Sequence, residues 1–414
     1  MSFLDYRGGE GYYDVELPSR VFAFVDRLEP EFALLDSLDA EWLAGNRRTP
    51  WLGASEVGEE VERKLSALEV PTGALEKFQE CDWLDVNLDD ERGGVRVDQY
   101  FNLFAAPLER RVTSIKPTSP ELTALLARVS GLDAIADASD EDVIAGLGSL
   151  KDERVSAAAV YDVGQGGCNA VISDVGFPLL YFDLGGGVQA NRGTYALGDR
   201  AFCFTEDPPI VLSHWDWDHW SSAQRDGQRA HDLTWIAPRQ PLGPANARFA
   251  GKLKHLLLWS GHKPLPAGPV LLERCTGASS NRNESGIVML LHDPDGDGRM
   301  LFPGDAGYAS VPSATGAFTS VVLPHHGGAT AGGAVVDPDG LVHGRLVCSA
   351  GPCNSYGHPS PSVMRAHKAW TQRRCTMDRR IDGLGHVHLY WSDMTPDVVT
   401  PCGGSKCQLG SHQR

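Results

Sequence analysis

The sequence predicts a layered α/β fold preceded by a mostly helical region. Three observations lead there. From Val155 onward, short apolar runs rich in β-branched and aromatic residues are punctuated by glycine. Helical stretches such as "PSVMRAHKAWTQRR" fall between or after those runs, the alternation expected when strands and helices form layers. Before residue 150 the texture changes to charged, amphipathic segments with capping signals.

The N-terminal elements come first. "GEEVERKLSALE" places apolar residues at helical spacing among charges. "TSPELTALLARVSG" offers Thr118 and Ser119 as N-caps, Pro120 in the first turn and Gly131 as the stop. "SDEDVIAGLGSL" repeats the device with Ser139 and Asp142. Residues 1–150 therefore read as a mostly helical accessory region without a catalytic constellation. Strands follow at "VSAAAVYDV", "NAVIS", "PLLYFDLGGG" and "PPIVLS". "SGIVMLLH" and "RMLFPGD" flank "DPDGDG" as a hairpin, and "SVVLPHHGG" and "GRLVCSAG" continue the series. This second region spans 155–395, leaving 396–414 as a C-terminal tail.

Composition bounds the function. A chain of 414 residues with 42% hydrophobic and 22% charged residues has a globular balance. Its net charge of −17 argues against a broad basic surface for non-specific DNA binding. Bound cations would still make a cleft locally positive. The opening "MSFLDYRGGEGYYDVE" has neither a basic start nor an apolar core, and no apolar run approaches the roughly 20 residues of a bilayer span. Nine cysteines form an odd set without a CxxC pair, Cys402 and Cys407 being the nearest to one. A soluble, cytoplasmic protein with reduced thiols and no membrane association is expected.

Chemistry concentrates in "PPIVLSHWDWDHWSS". His214, Asp216, Asp218 and His219 follow directly on an apolar strand, where α/β folds present functional groups. Two imidazoles and two carboxylates there would be costly to bury unless they bind something. Asp305 in "LFPGD", His325 and His326 in "VVLPHHGG" and His358 in "NSYGHPSPS" each lie in a loop after an apolar run. A lone aspartate after glycine is usually a turn, and a lone histidine is usually only satisfied. Together they supply enough ligands for two divalent ions, which at about 4 Å apart can clamp a bridging hydroxide and the oxygens of a phosphodiester or ester.

The order "YDVGQGG…YFDLGG…LSHWDWDH…FPGD…LPHHGG…YGHP" resembles the metallo-β-lactamase-fold hydrolases, and within them the ComEC-type hydrolase domain of DNA-uptake competence proteins. The match runs from about Val155 to Trp391. It implies a four-layer αββα sandwich with a metal cleft along one edge of the sheets. By resemblance, His214, Asp216, Asp218, His219, Asp305 and His358 would ligate metal. One of His325 and His326, taken as His326, would do so too, and the other would assist substrate or leaving group. Asp218 would orient the hydroxide or take its proton. Asp162 and Gln165 match the DVGQG turn and read as supporting residues.

Most members of that fold carry a second histidine where Asp216 stands. A carboxylate hardens the site and shifts preference from Zn²⁺ toward Mn²⁺ or Mg²⁺. The resemblance thus implies a dinuclear metallohydrolase using Mn²⁺ or Zn²⁺, with a phosphodiester, including DNA, as first substrate. A small ester, lactone or phosphoester is the alternative, as is a role in an assembly docked through residues 1–150. The chain departs from the pattern at Trp215, Trp217 and Trp220–Ser222, where smaller residues are usual, and the three tryptophans fit either substrate stacking or core packing. "DPDGDG" imitates a calcium loop, but Gly304 stands where the bidentate glutamate is needed. His255, His262, His386 and His388 read as structural.

Overall fold

The computed structural model describes residues 17–46, 58–89, 93–151, 153–174, 176–197, 202–225, 229–330, 332, 334–379 and 384–391. The N-terminal "MSFLDYRGGEGYYDVE", Cys402, Cys407 and the tail 396–414 lie outside them. The chain divides into two units, Met1–Ala136 with Gln240–Leu253, and Asp137–Arg239 with Lys254–Arg414.

The first unit is not mostly helical. β1 (Arg20–Leu28), β2 (Phe32–Asp39), β3 (Leu65–Pro71), β4 (Trp83–Asp89), β5 (Val95–Tyr100) and β6 (Leu108–Pro117) close an antiparallel barrel in the order β1-β2-β3-β5-β6-β4. Alternate residues fill its core: Val21, Ala23 and Val25 from β1, and Leu84, Val86 and Leu88 from β4. Register shifts between Val25 and Arg27 and between Asn87 and Leu88 add the curvature that closure requires. "GEEVERKLSALE" splits, a helical turn over Gly58–Glu62 preceding β3. Helix propensity is a weak preference there, and burial of Leu68 and Val70 in the barrel core overrides it. The helix Pro120–Ser130, capped by Ser119, forms where its sequence signals place it, as does Asp140–Gly146 of the second unit, with its Ser139–Asp142 capping box.

A segment from far along the chain completes this unit. The helix Pro244–Ala250 directs the Ala245 N–H onto the buried Asp36 carboxylate at 2.8 Å. Arg248 and Lys252 both reach Glu62 at 2.8 Å, and Asn246 donates to Asp26. Gly243 allows the approach, since a Cβ there would meet the Asp36 carboxylate.

The second unit carries β7 (Val155–Val160), β8 (Cys168–Ser173), β9 (Pro178–Leu184), β10 (Ile210–Val211), β11 (Thr234–Pro238), β12 (His255–Trp259), β13 (Leu265–Ala267), β14 (Val270–Arg274), β15 (Ile287–His292), β16 (Arg299–Phe302), β17 (Ala317–Phe318), β18 (Ser320–Val322), β19 (Asp337–Pro338), β20 (Arg345–Cys348), β21 (Arg373–Cys375) and β22 (Val387–Tyr390). One sheet runs β12-β11-β10-β9-β8-β7-β22 and the other β13-β14-β15-β16-β18-β20-β21, with β17 and β19 a small ribbon. The two seven-stranded sheets share one core, in which Phe182 of β9 meets Phe302 of β16 at 6.4 Å between rings. β15 shows the alternation: Ile287, Met289 and Leu291 enter that core, while Val288 and Leu290 join Trp370 on the sheet's opposite face. Each sheet is antiparallel over one part and parallel over the other, and β10, β16, β18 and β20 all lie in the parallel parts. No helix among the described residues is long and apolar enough to cross a membrane.

His388 of β22 sits opposite Ala159 with its Nδ1 3.0 Å from the Tyr390 hydroxyl. Burial, reinforced by His386 and Arg345, pushes its pKa down to about 3. A histidine depressed in this way stabilises the fold above its unfolded pKa of about 6.5 and loses that contribution as pH falls toward the folded value. Relative to wild type, His388→Phe should lose up to about 1.4 kcal/mol of acid-induced destabilisation per pH unit below about 6.5. Urea unfolding of the metal-free proteins across that range reads the difference. Parallel pH profiles would refute it.

Candidate metal centre

Strand ends build the site. β10 delivers Ser213 and His214, the one-turn helix Trp217–Trp220 delivers Asp218 and His219, β16 leads to Asp305, and β18 leads to His325 and His326. These are carboxyl ends of parallel strands, where α/β sheets place ligand sites. His325 and His326 both adopt left-handed backbone, φ 49° and 54°, a costly conformation for two consecutive non-glycine residues. The Asp218 carbonyl accepts N–H bonds from Gly167 at 3.0 Å and Gly186 at 3.1 Å, so the glycine turns "GQGG" and "LGGG" clamp the His214–His219 loop by its backbone. Between them Gly185 lies so close that a Cβ would collide with that carbonyl.

Asp305 is the centre of the cluster. Its Oδ1 lies 3.2 Å from His219 Nε2 and 3.5 Å from His326 Nε2, while its Oδ2 lies 3.7 Å from His214 Nε2 and 3.8 Å from His325 Nε2. Asp218 Oδ2 faces His326 Nε2 at 3.5 Å. Two overlapping buried triads result, His214–His219–Asp305 and Asp218–His219–His326, each with its donor atoms within 4.8 Å.

The surrounding hydrogen bonds set the tautomers. His219 Nδ1 lies 2.8 Å from Asp183 Oδ2, and His326 Nδ1 lies 2.9 Å from the Ser349 carbonyl, so both must donate from Nδ1. Their Nε2 atoms then face each other at 3.2 Å as two lone pairs. Ser213 Oγ donates to Asp183 Oδ2 and so accepts from His214 Nδ1, leaving His214 Nε2 aimed at carboxylates as well. That atom and both Asp305 oxygens are buried without a hydrogen bond of good geometry. Lone pairs converging on lone pairs require positive charge between them, either a proton or a metal ion. Burial disfavours a proton on His219, yet the adjacent Asp305 and Asp183 outweigh it and hold its pKa well above the usual value. Burial likewise disfavours the Asp305 carboxylate, but His219, His326 and His325 keep it ionised and its pKa well below the usual range. An imidazole and carboxylate set of this kind fits a borderline or hard divalent metal ion.

The remaining expected residues are placed differently. Asp216 turns Oδ2 toward His214 Nε2 at 3.4 Å, but its Oδ1 is held by Arg282 Nη2 at 2.7 Å. His358 is not brought into either triad. Its ring stands 5.3 Å from that of His325, Tyr356 stacks on it, and its Nε2 packs against Gly328. Gln165 of the DVGQG turn faces His358 Nδ1 at 3.4 Å, and Asp162 is bound by Arg379 at 2.7 Å. Trp215, Trp217 and Trp220 are all buried, the Trp215 indole N–H donating to the Pro238 carbonyl, which is core packing. "DPDGDG" is the hairpin turn between β15 and β16, with Asp295 paired to Arg154.

The sequence reading assigned no role to Asp183 or Arg282. Asp183, next to last in β9, has φ 64°, and besides His219 it binds the Ser213 N–H at 2.7 Å. The glycine run after "YFD" was its only local signal. Arg282, in "SSNRNES", had none.

No family model and no curated protein matches the chain. Among solved structures it is similar to the metallo-β-lactamase-fold protein YhfI of Bacillus subtilis, at 11% identity and a TM-score of 0.32 over 53% of this chain and 95% of that one. It is also similar to CmlA, a diiron β-hydroxylase of Streptomyces venezuelae, at 14% identity and a TM-score of 0.27 over 73% of this chain and 59% of that one. A protein of Veillonella parvula described as a possible metal-dependent hydrolase is similar at 9% identity and a TM-score of 0.24, over 41% and 71%.

Replacing Asp183 by alanine should weaken divalent-metal binding by about 10- to 100-fold, the usual cost of losing a carboxylate behind a ligating histidine. Calorimetric titration of the metal-free protein with Mn²⁺ and Zn²⁺ measures it. Unchanged affinity in a folded variant would show that Asp183 does not support the ligand set.

Proposed function

We propose that this chain is a metal-dependent hydrolase of the metallo-β-lactamase fold, its second unit forming a four-layer αββα sandwich and its cleft holding two divalent ions. The observation that supports this most is the convergence of the His214, His219 and His326 lone pairs and the Asp305 carboxylate on one buried space. His214, Asp216 and His325 with Asp305 Oδ2 would hold one ion. Asp218, His219 and His326 with Asp305 Oδ1 would hold the other. Mn²⁺ or Zn²⁺ suits these donors, Mg²⁺ less so. When bound, such ions would polarise a water and the oxygens of an ester. Asp218 faces the same space and is placed to take the proton of the attacking water. His358, the least buried of the set, would meet the substrate's leaving side.

The resemblance in the motifs favours a phosphodiester. The depth of the cluster, with His214 and His219 each 1% exposed, favours an ester at a strand end or on a small molecule over the interior of a duplex. Residues 1–150 remain a proposed docking region for a protein partner.

The metal-reconstituted chain should hydrolyse a phosphodiester, best with Mn²⁺. Asp218→Ala should lower kcat by at least about 100-fold while retaining the wild-type circular dichroism spectrum. Single- and double-stranded DNA, RNA, a generic phosphodiester and a lactone, each with Mn²⁺, Mg²⁺ and Zn²⁺, form the panel. Absence of turnover on every substrate, or a fully active Asp218→Ala, would sink the hydrolase reading.

A further inference from the structure

The strongest feature outside the expected ligand set is a fixed positive charge inside the cluster. Arg282 is 2% exposed, and its Nη2 lies 2.7 Å from Asp216 Oδ1, itself 2% exposed. The other Asp216 oxygen, Oδ2, points to His214 Nε2 at 3.4 Å. One carboxylate thus stands between a guanidinium on one side and the candidate ligands on the other. A guanidinium cannot be deprotonated in a protein, so this charge is permanent.

We infer that Arg282 is a positioning residue that makes the two metal positions unequal, weakening the one at His214 and Asp216 relative to the one at Asp218, His219 and His326. The inference rests on the metal-dependent reading above. Three effects act in the same direction. Arg282 pairs with Asp216 Oδ1, which favours coordination through Oδ2, the oxygen that faces His214. Its charge cancels that of Asp216, so a cation beside His214 gains less Coulomb attraction than a bare carboxylate would give. Like charges also repel across the low-dielectric space that both would occupy. Arg282 pairs with Asp216, whereas Asp218 faces the His326 imidazole. Arg282 thus offsets part of the negative charge that Asp216 brings to this position.

The consequence is a pair of opposite effects from the two halves of one ion pair. Arg282→Met leaves a buried carboxylate whose natural compensation is a metal ion, so binding at the weaker position tightens. Asp216→Asn leaves a buried guanidinium facing that position, so binding there loosens. A purely structural ion pair would give destabilisation in both variants and no opposed shift in metal affinity.

Mn²⁺ titration of the full-length, metal-free chain, followed by calorimetry and by the electron paramagnetic resonance signal of unbound Mn²⁺, tests this. Wild type should show one tight and one weak site. Arg282→Met should tighten the weak site by about tenfold or more, and Asp216→Asn should loosen it by about tenfold or more, as expected from gain or loss of one charge contact. Arg282→Lys, which keeps the charge, should stay within about threefold of wild type. Where Arg282→Met does not fold, Arg282→Gln retains a donor for Asp216 without the charge and should shift the weak site the same way. Two Mn²⁺ sites in wild type whose affinities do not tighten on neutralising Arg282 would overturn this inference and leave the hydrolase reading standing. A wild-type chain that binds no divalent metal would overturn both.

Discussion

Imidazole lone pairs aimed at one another and at carboxylates, in a buried space, are the constraint on which the second unit is organised. A buried polar atom without a partner costs about 1–3 kcal/mol. Several such atoms together would consume much of a domain's total stability of about 5–15 kcal/mol. The cluster is tolerable only with positive charge at its centre. Without a metal ion, the protein's own answer is the proton that Asp183 and Asp305 hold on His219. Because Asp305 offers a different oxygen to each half of the cluster, one carboxylate links the two halves, and its loss would disturb both at once.

What keeps those groups facing one another is backbone, more than packing between the side chains themselves. The Asp218 carbonyl is gripped by amides from two separate glycine turns, which fixes the short helix carrying Asp218 and His219. Ser213 ties His214 and His219 to the same Asp183 carboxylate, so the first and last residues of "HWDWDH" are oriented by one acid from a different strand end. The buried tryptophans fill the space behind this loop. Large side chains there leave the loop little room to relax, which is what holding groups against their mutual repulsion requires.

These physical roles decide what could be read from sequence. The strands of the second unit were legible because glycine turns separate them, and the ligand candidates were legible because each follows an apolar run. Arg282 and Asp183 were not, since each acts on residues distant in the chain and neither sits in a local pattern. Asp183 meets His219 across 36 positions. The barrel was illegible for another reason. "VFAFV" in β1 is buried on both faces, so it reads as an undifferentiated apolar run rather than an alternating strand. "GEEVERKLSALE" joined a helical turn to a strand in one stretch that satisfied helical spacing by accident. His358 shows the limit of motif order, which named the residue without specifying its distance from the centre.

The barrel also answers where one unit ends and the next begins. Asp36 and Glu62 are buried acids of the first 136 residues, and their partners, the Ala245 amide, Arg248 and Lys252, come from a segment that follows the His214–His219 loop in sequence. A fragment cut at residue 136 or 150 would lack these partners for both carboxylates. The first unit is therefore not an independent N-terminal module. Its fold is specified jointly by the first 136 residues and by Gln240–Leu253, so a mutation in that helix acts on the barrel even though its neighbours in sequence belong to the second unit.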